Sequence, residues 1–140
     1  MSRVRSLLRL EAVALQPDLA LLLLRVWFGL SLCVLHGWGK IARLSADPVQ
    51  FADPFGLGAG PSLALATAAE VIGALLVVVG LATRWAALSV IITMATAFFF
   101  AHGGKLTGEG NGEMPFLFLG AFAAIFLAGP GRFSVDAQIK

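Results

Sequence analysis

The stretch from Leu19 to Lys40, LALLLLRVWFGLSLCVLHGWGK, constrains the fold of this chain more than any other. It is long and apolar enough to cross a membrane as a helix, because about 20 such residues span the hydrocarbon core. Yet Arg25 lies within it, and it ends in the polar sequence from His36 to Lys40. A charge in such a helix costs roughly 2.5–3.5 kcal/mol to insert, so it normally faces the protein interior and has a partner. The rest of the chain should supply partners for Arg25 and His36.

The composition indicates that lipid surrounds the folded chain. Of its 140 residues, 59% are hydrophobic and only 13% are charged, which is more apolar surface than a soluble domain of this size can bury. The net charge of +2 gives no indication of nucleic-acid binding. Cys33 is the single cysteine, which excludes an internal disulfide and a cysteine metal cage. The sequence shows no evident haem, flavin or iron–sulfur site.

Four apolar segments predict an all-α membrane protein whose transmembrane domain, residues 19–131, is a four-helix bundle. The predicted helices cover about residues 19–38, 62–83, 85–101 and 114–128. Residues 1–18 form a basic leader, either amphipathic or flexible, and residues 132–140 form a cytoplasmic tail. The first loop contains turn residues at Asp47-Pro48 and Asp53-Pro54, and a short interfacial helix could form between them.

The distribution of basic residues predicts that both termini face the cytoplasm. Positive charge concentrates on the cytoplasmic side of membrane proteins, and six basic residues lie on the side of the termini against three on the other. The six are Arg3, Arg5, Arg9, Arg84, Arg132 and Lys140, and the three are Lys40, Arg43 and Lys105. We therefore expect a multi-pass membrane protein.

In this orientation the remaining polar residues converge at the outer side. Glu70 lies about 12 Å in from the outer end of the second helix, and Arg25 about 9 Å in from the inner end of the first. We expect these two side chains to face one another, either as a structural ion pair or as the floor of a pocket that opens outward. The expected rim consists of His36, Lys40, His102 and Glu113.

Such a pocket would suit a quinone headgroup. Histidine, arginine and lysine can donate hydrogen bonds to its carbonyls, and a carboxylate can move protons. We predict catalytic roles for Glu70, His36 and His102. The predicted cofactor-binding residues are Arg25, His36, Lys40, Glu70, His102 and Glu113. Two histidines and two carboxylates could also bind a metal ion, but no HxxH or ExxH spacing supports one, and we assign no metal ligands.

An ordered set of motifs resembles the DoxX family of small four-helix bacterial membrane proteins. The motifs are LLLRVWFGL, HGWGK, AAEVIGALLVVVGLATR, His102-Gly103 and GPGRFSVD. The family takes its name from a subunit of an archaeal terminal quinol oxidase, also linked to thiosulfate:quinone oxidoreduction, and other members belong to oxidoreductase or oxidative-stress complexes. The resemblance implies a multi-pass protein of a bacterial inner membrane. It also implies a quinone-linked redox role, with candidate positions at Arg25, His36, Glu70, Arg84, His102 and Arg132.

Three functions stay open from the sequence. The first is a quinone-interacting subunit of a membrane oxidoreductase. The second is a non-catalytic membrane scaffold that recruits a soluble redox or stress enzyme through the basic N-terminus, Arg84 or the GPGRFSVD tail. The third is a small-solute or metal transporter, which would need a homo-oligomer. The lipid membrane is the expected partner in all three.

Overall fold

The computed structural model describes residues 16–139, which form four long helices and one short one without any strand. The long helices are α1 (Pro17–Arg43), α2 (Ala59–Val79), α3 (Thr83–Ala101) and α4 (Glu113–Ala128), and the short one is α5 (Val135–Gln138). The first three are long and apolar enough to cross a membrane, and α4 is a shorter apolar helix of 16 residues. Most of the predicted basic leader lies outside the described residues.

The four long helices pack in a ring. Helix α1 contacts α2 and α4, and α3 contacts α2 and, most extensively, α4. Leu32, Val77 and Phe122 are fully buried between them. Large apolar side chains such as Trp27 and Leu127 face outward, which suits lipid as the surrounding solvent. The predicted all-α membrane bundle is confirmed.

Helix α2 ends at a glycine that turns the chain directly into α3. Gly80 has φ +75°, and the N–H groups of Gly80 and Leu81 both donate to the carbonyl of Leu76, at 2.9 and 3.0 Å. A left-handed glycine with this double bond is a common helix C-terminus. Because only three residues separate the helices, α2 and α3 form an antiparallel hairpin.

The first loop contains no helix, so the expected interfacial helix in it is wrong. Residues 44–58 form turns and extended segments. The carboxylate of Asp53 accepts hydrogen bonds from the N–H groups of Leu57 and Gly58 and from the Ser62 hydroxyl, at 2.8–2.9 Å. The Ser62 bond, followed by the backbone bonds, lowers the pKa of Asp53. These bonds tie the loop to the start of α2.

Three of the long helices change to π-helical geometry for about one turn. The π segments are Cys33–Gly37 in α1, Ala68–Gly73 in α2 and Ala97–Ala101 in α3. The first two pack against each other. A Cβ atom added at Gly37 would lie 2.8 Å from the carbonyl oxygen of Glu70. Such segments are frequent at functional sites, and here they bring His36 and Glu70 to the same level of the bundle.

Candidate functional site

The polar side chains form two separate clusters at opposite ends of the bundle. We call the end with Pro17 and the α2–α3 turn the terminal end, and the end with the first loop the loop end. Arg25 lies in the cluster at the terminal end, and Glu70 in the cluster toward the loop end. The predicted contact between Arg25 and Glu70 is therefore wrong.

The loop-end cluster is built on an ion pair between α1 and α2. Lys40 Nζ lies 2.5 Å from Glu70 Oε2 and also donates to the carbonyl of His36 at 3.2 Å. Glu70 is only 4% exposed, and the Lys40 side chain 17%. The half-buried His36 ring contacts Phe118 edge-on, with 5.4 Å between ring centroids. The structure thus brings together three predicted site residues, His36, Lys40 and Glu70.

Helix geometry explains why Lys40 rather than Arg25 pairs with Glu70. Arg25 lies beside Val77 of α2, and seven residues separate Val77 from Glu70, about 10 Å along the helix. Helix α1 continues to Arg43, five residues past its predicted end. That extension carries Lys40 as a helical residue one turn after His36, within reach of Glu70.

At the terminal end, Arg25 is fully buried and bound to the backbone. Its guanidinium donates to the carbonyls of Val77, at 3.5 Å, and Phe133. Phe133 belongs to residues 129–138, which fold back over this end, and we call this segment the C-terminal clasp. The clasp is joined to α2 by a hydrogen bond from the Asp136 N–H to the Gly80 carbonyl, at 2.8 Å.

Asp136 of the clasp caps the start of α3. Its carboxylate accepts hydrogen bonds from the N–H groups of Ala82 and Thr83 and from the Thr83 hydroxyl, at 2.7–2.9 Å. Burial by itself raises the pKa of Asp136, but these hydrogen bonds and the charge of Arg25 lower it below its ordinary value. The ionised carboxylate therefore holds the clasp against the α2–α3 turn.

Gly80 and Asp136 are structural residues that the sequence analysis did not single out. A Cβ atom at Gly80 would overlap the Arg25 guanidinium and the Ser134 side chain. A local signal for the clasp exists at Ser134, whose hydroxyl accepts a hydrogen bond from the Ala137 N–H at 3.2 Å and caps α5. No sequence pattern indicated that this short helix packs against α2 and Arg25.

A groove of about 1070 Å³ lies between α2 and α3, and the Lys40–Glu70 pair forms part of its wall. The other lining residues are mostly apolar or small and include Ala69, Ile72, Gly73, Ala86, Ser89 and Ile92. Along α3 the lining runs from Trp85 to Ala101, a helix length of about 24 Å. A buried charge pair thus borders a long apolar surface.

Comparison with known proteins identifies the family. The model of the DoxX family matches residues 20–103, more than half of the chain. The chain belongs to the DoxX family. An uncharacterized protein of Haemophilus influenzae is 31% identical over 111 residues, which cover 74% of this chain and 78% of that protein. No solved structure matches the chain. The family and the apolar helices together show that this DoxX protein is embedded in a membrane.

Two further predicted site residues of this DoxX protein lie away from the ion pair. His102 lines the loop end of the groove, where its ring Nδ1 is hydrogen-bonded to the Gly110 carbonyl at 2.8 Å. Glu113 is exposed at the start of α4 and does not line the groove. Within residues 16–139, no three His, Cys, Asp or Glu side chains come together as metal ligands.

Arg84 and Arg132, which the family resemblance gave as candidates, lie on the surface of the terminal end. Arg84 reaches toward the Leu127 carbonyl, with its Nη2 atom at 3.5 Å. The Arg132 guanidinium lies over the Phe133 ring, 5.2 Å from its centroid. Both are exposed, and neither lines the groove.

Proposed function

We propose that this DoxX protein is a membrane subunit of a quinone-linked oxidoreductase system and that the α2–α3 groove binds the quinone headgroup. The observation that carries the proposal is the Lys40–Glu70 ion pair in the wall of an apolar groove. Ionisable groups inside a membrane are functional candidates, and membership of the DoxX family supports a link to quinone chemistry.

The donors and acceptors around the ion pair fit a quinone ring. The Lys40 ammonium has three N–H donors, of which Glu70 and the His36 carbonyl occupy two. The third can donate to a quinone carbonyl. On Glu70 the ion pair uses Oε2, which leaves Oε1 to accept from a quinol hydroxyl. The groove is also large enough, since small-molecule sites are typically about 300–1,000 Å³.

In this proposal the ion pair moves protons and a partner protein supplies electrons. A bound quinone accepts two electrons and two protons to become a quinol. Lys40 polarises the carbonyl by hydrogen bonding, and Glu70 passes protons to and from the reacting oxygen. His36, half-buried and one helical turn before Lys40, is a residue that can replenish a proton. A redox protein bound to the membrane domain is the required electron donor or acceptor.

The scaffold alternative finds less support, because the tail assigned to docking is already used within the fold. The clasp holds Arg25 through Phe133 and caps α3 through Asp136. Deleting residues 133–140 would therefore disturb the bundle itself. Arg84 and Arg132 are still available on this surface for a partner that meets the bundle from the terminal end.

The test is the amount of quinone that copurifies with the protein from native membranes in mild detergent. We expect about one quinone per chain in the wild type and loss of it in Glu70→Gln, Lys40→Met and His36→Ala. Glu113→Gln is the matched control, because Glu113 is an exposed glutamate outside the groove, and it should keep its quinone. The double variant Lys40→Met/Glu70→Met buries no unpaired charge, so it should fold. Loss of quinone from this folded variant would therefore not result from misfolding. Quinone-free folded wild type, or full retention in Glu70→Gln, would contradict the proposal.

A further inference from the structure

We infer that the α2–α3 groove holds the tail of a long-chain, lipid-soluble quinone, which enters sideways from the bilayer. This inference rests on the proposed function and adds the class of quinone and its route. The headgroup site at Lys40–Glu70 lies part-way along the groove, whose α3 wall extends over about 24 Å from Trp85 to Ala101. Beyond Glu70 the α2 wall continues to Leu76, about 9 Å toward the terminal end, which leaves room beside the ring for the first part of a hydrocarbon tail.

The hydroxyls of the groove wall between Trp85 and Thr93 are bonded to their own helix. The Ser89 hydroxyl donates to the Ala86 carbonyl at 2.8 Å, and the Thr93 hydroxyl donates to the Ser89 carbonyl at 3.0 Å. Hydroxyls bonded in this way leave their carbon atoms toward the groove. The wall between the ion pair and Trp85 is therefore suited to a hydrocarbon chain.

The groove is closed toward the core and open toward lipid. A Cβ atom at Gly73 would lie 2.9 Å from the Ser89 hydroxyl oxygen, so α2 and α3 meet closely at its floor. On the outer rim, Ile72 of α2 and Ile92 of α3 are 60% and 57% exposed. A hydrocarbon tail in the groove would lie between these two side chains and face the bilayer outside.

The first loop covers the loop end of the groove. Its residues Phe51 and Phe55 are part of the lining, and the Phe55 ring lies 5.8 Å from the Phe100 ring of α3. Arg43 fixes the other side of the loop by donating to the Gln50 carbonyl at 2.7 Å and by lying over the Phe51 ring. With this end covered, the tail extends from the ion pair toward Trp85.

The experiment compares two probes that share a headgroup, a tailless benzoquinone and the same quinone with a long isoprenoid tail. Binding is measured in lipid nanodiscs, with the affinity of the tailed probe expressed as its mole fraction in the lipid. Ile72→Trp and Ile92→Trp place a larger side chain over the groove, and Leu75→Trp is the matched control. Leu75 lies on the same helix, is 43% exposed and does not line the groove.

We expect both isoleucine variants to weaken binding of the tailed probe about tenfold, because the larger side chain overpacks the space for the tail. Binding of the tailless probe should not change, and Leu75→Trp should bind both probes like the wild type. Unchanged affinity for the tailed probe, or equal weakening for both probes, would overturn the inference even if Glu70-dependent binding persists. Failure of both probes to bind the wild type would instead reject the proposed function, and the inference with it.

Discussion

Each end of the bundle buries a positive charge, but the surroundings of the two charges differ. At the terminal end, the guanidinium of Arg25 is fully buried and donates to main-chain carbonyls, one of them in the C-terminal clasp. At the loop end, Lys40 pairs with the carboxylate of Glu70, and the pair borders an open groove. The Arg25 guanidinium is packed closely against Gly80, whereas the ion pair borders open space and carries an exchangeable proton.

The comparison teaches that a charge within a membrane helix does not by itself indicate a functional site. Arg25 and Glu70 both stand out in otherwise apolar segments, and the same insertion cost applies to each. The two residues differ in the groups to which they are hydrogen-bonded. Backbone carbonyls cannot exchange protons, so Arg25 acts in the structure, whereas the lysine and carboxylate at the loop end can both change their hydrogen bonds when a ligand binds.

The largest effect on stability should follow removal of the buried arginine. Arg25→Met leaves the carbonyls of Val77 and Phe133 without their donor and loosens the clasp, and we expect it to cost roughly 3 kcal/mol. Thermal unfolding in detergent measures the loss. Arg84→Met, which removes an exposed arginine at the same end, is the control and should stay within about 0.5 kcal/mol of the wild type. Equal stability of the two variants would show that the clasp does not depend on Arg25.

A smaller loss is expected when the ion pair at the loop end is broken on one side. Glu70→Met leaves Lys40 without its partner, and partial exposure of Lys40 limits the cost to about 2 kcal/mol. The double variant Lys40→Met/Glu70→Met should recover most of that loss, because no charge stays buried. A double-mutant cycle from unfolding curves measures the coupling. Additive losses in the double variant would mean that the two side chains do not stabilise one another.

Asp136→Asn should have a smaller effect, and that effect should depend on pH. Loss of an ionised capping group costs about 1 kcal/mol. Because the pKa of Asp136 in the folded protein lies below its ordinary value of 3.8, its contribution is complete above that value and is lost as the pH falls through the lower folded pKa. The stability difference from wild type should thus be full at pH 7 and shrink in acid below pH 3.8. Asp47→Asn, in the exposed first loop, controls for the loss of one charge, and a difference independent of pH would contradict the role of the carboxylate.

Substitution of His102, at the loop end of the groove, should have the smallest effect on quinone content. His102 is hydrogen-bonded to Gly110 within its own loop, so His102→Ala should leave the copurified quinone unchanged. His36→Ala, beside the ion pair, should lose it. Quinone content of the two variants, measured side by side, decides between them, and a greater loss in His102→Ala would move the site toward the end of α3.

Much of the fold could be predicted because it depends on long-range averages of the sequence. Apolar runs predict the four helices, and a fixed rise per residue predicts that His36, Lys40 and Glu70 lie toward one end. The partner of Glu70 could not be predicted, because it depends on the extension of α1 to Arg43 and on two π segments that change the helix phase. Neither has a signal in residue composition.

The C-terminal clasp was also beyond prediction, for a different reason. Helix α5 has only four residues, too few for any periodicity to show its buried side. Its position depends on Arg25, Gly80 and Asp136, which come from three distant parts of the chain. The segment predicted as a cytoplasmic tail is therefore packed into the terminal end of the bundle.

The central claim is that the loop end binds quinone and the terminal end only supports the fold. The most direct test is the quinone content per folded chain of three proteins, the wild type, Lys40→Met/Glu70→Met and Arg25→Met. Each is purified separately from native membranes by the same procedure. The account predicts full content in the wild type and in folded Arg25→Met, and none in the double variant. Quinone retained by the double variant, or lost from folded Arg25→Met alone, would contradict it.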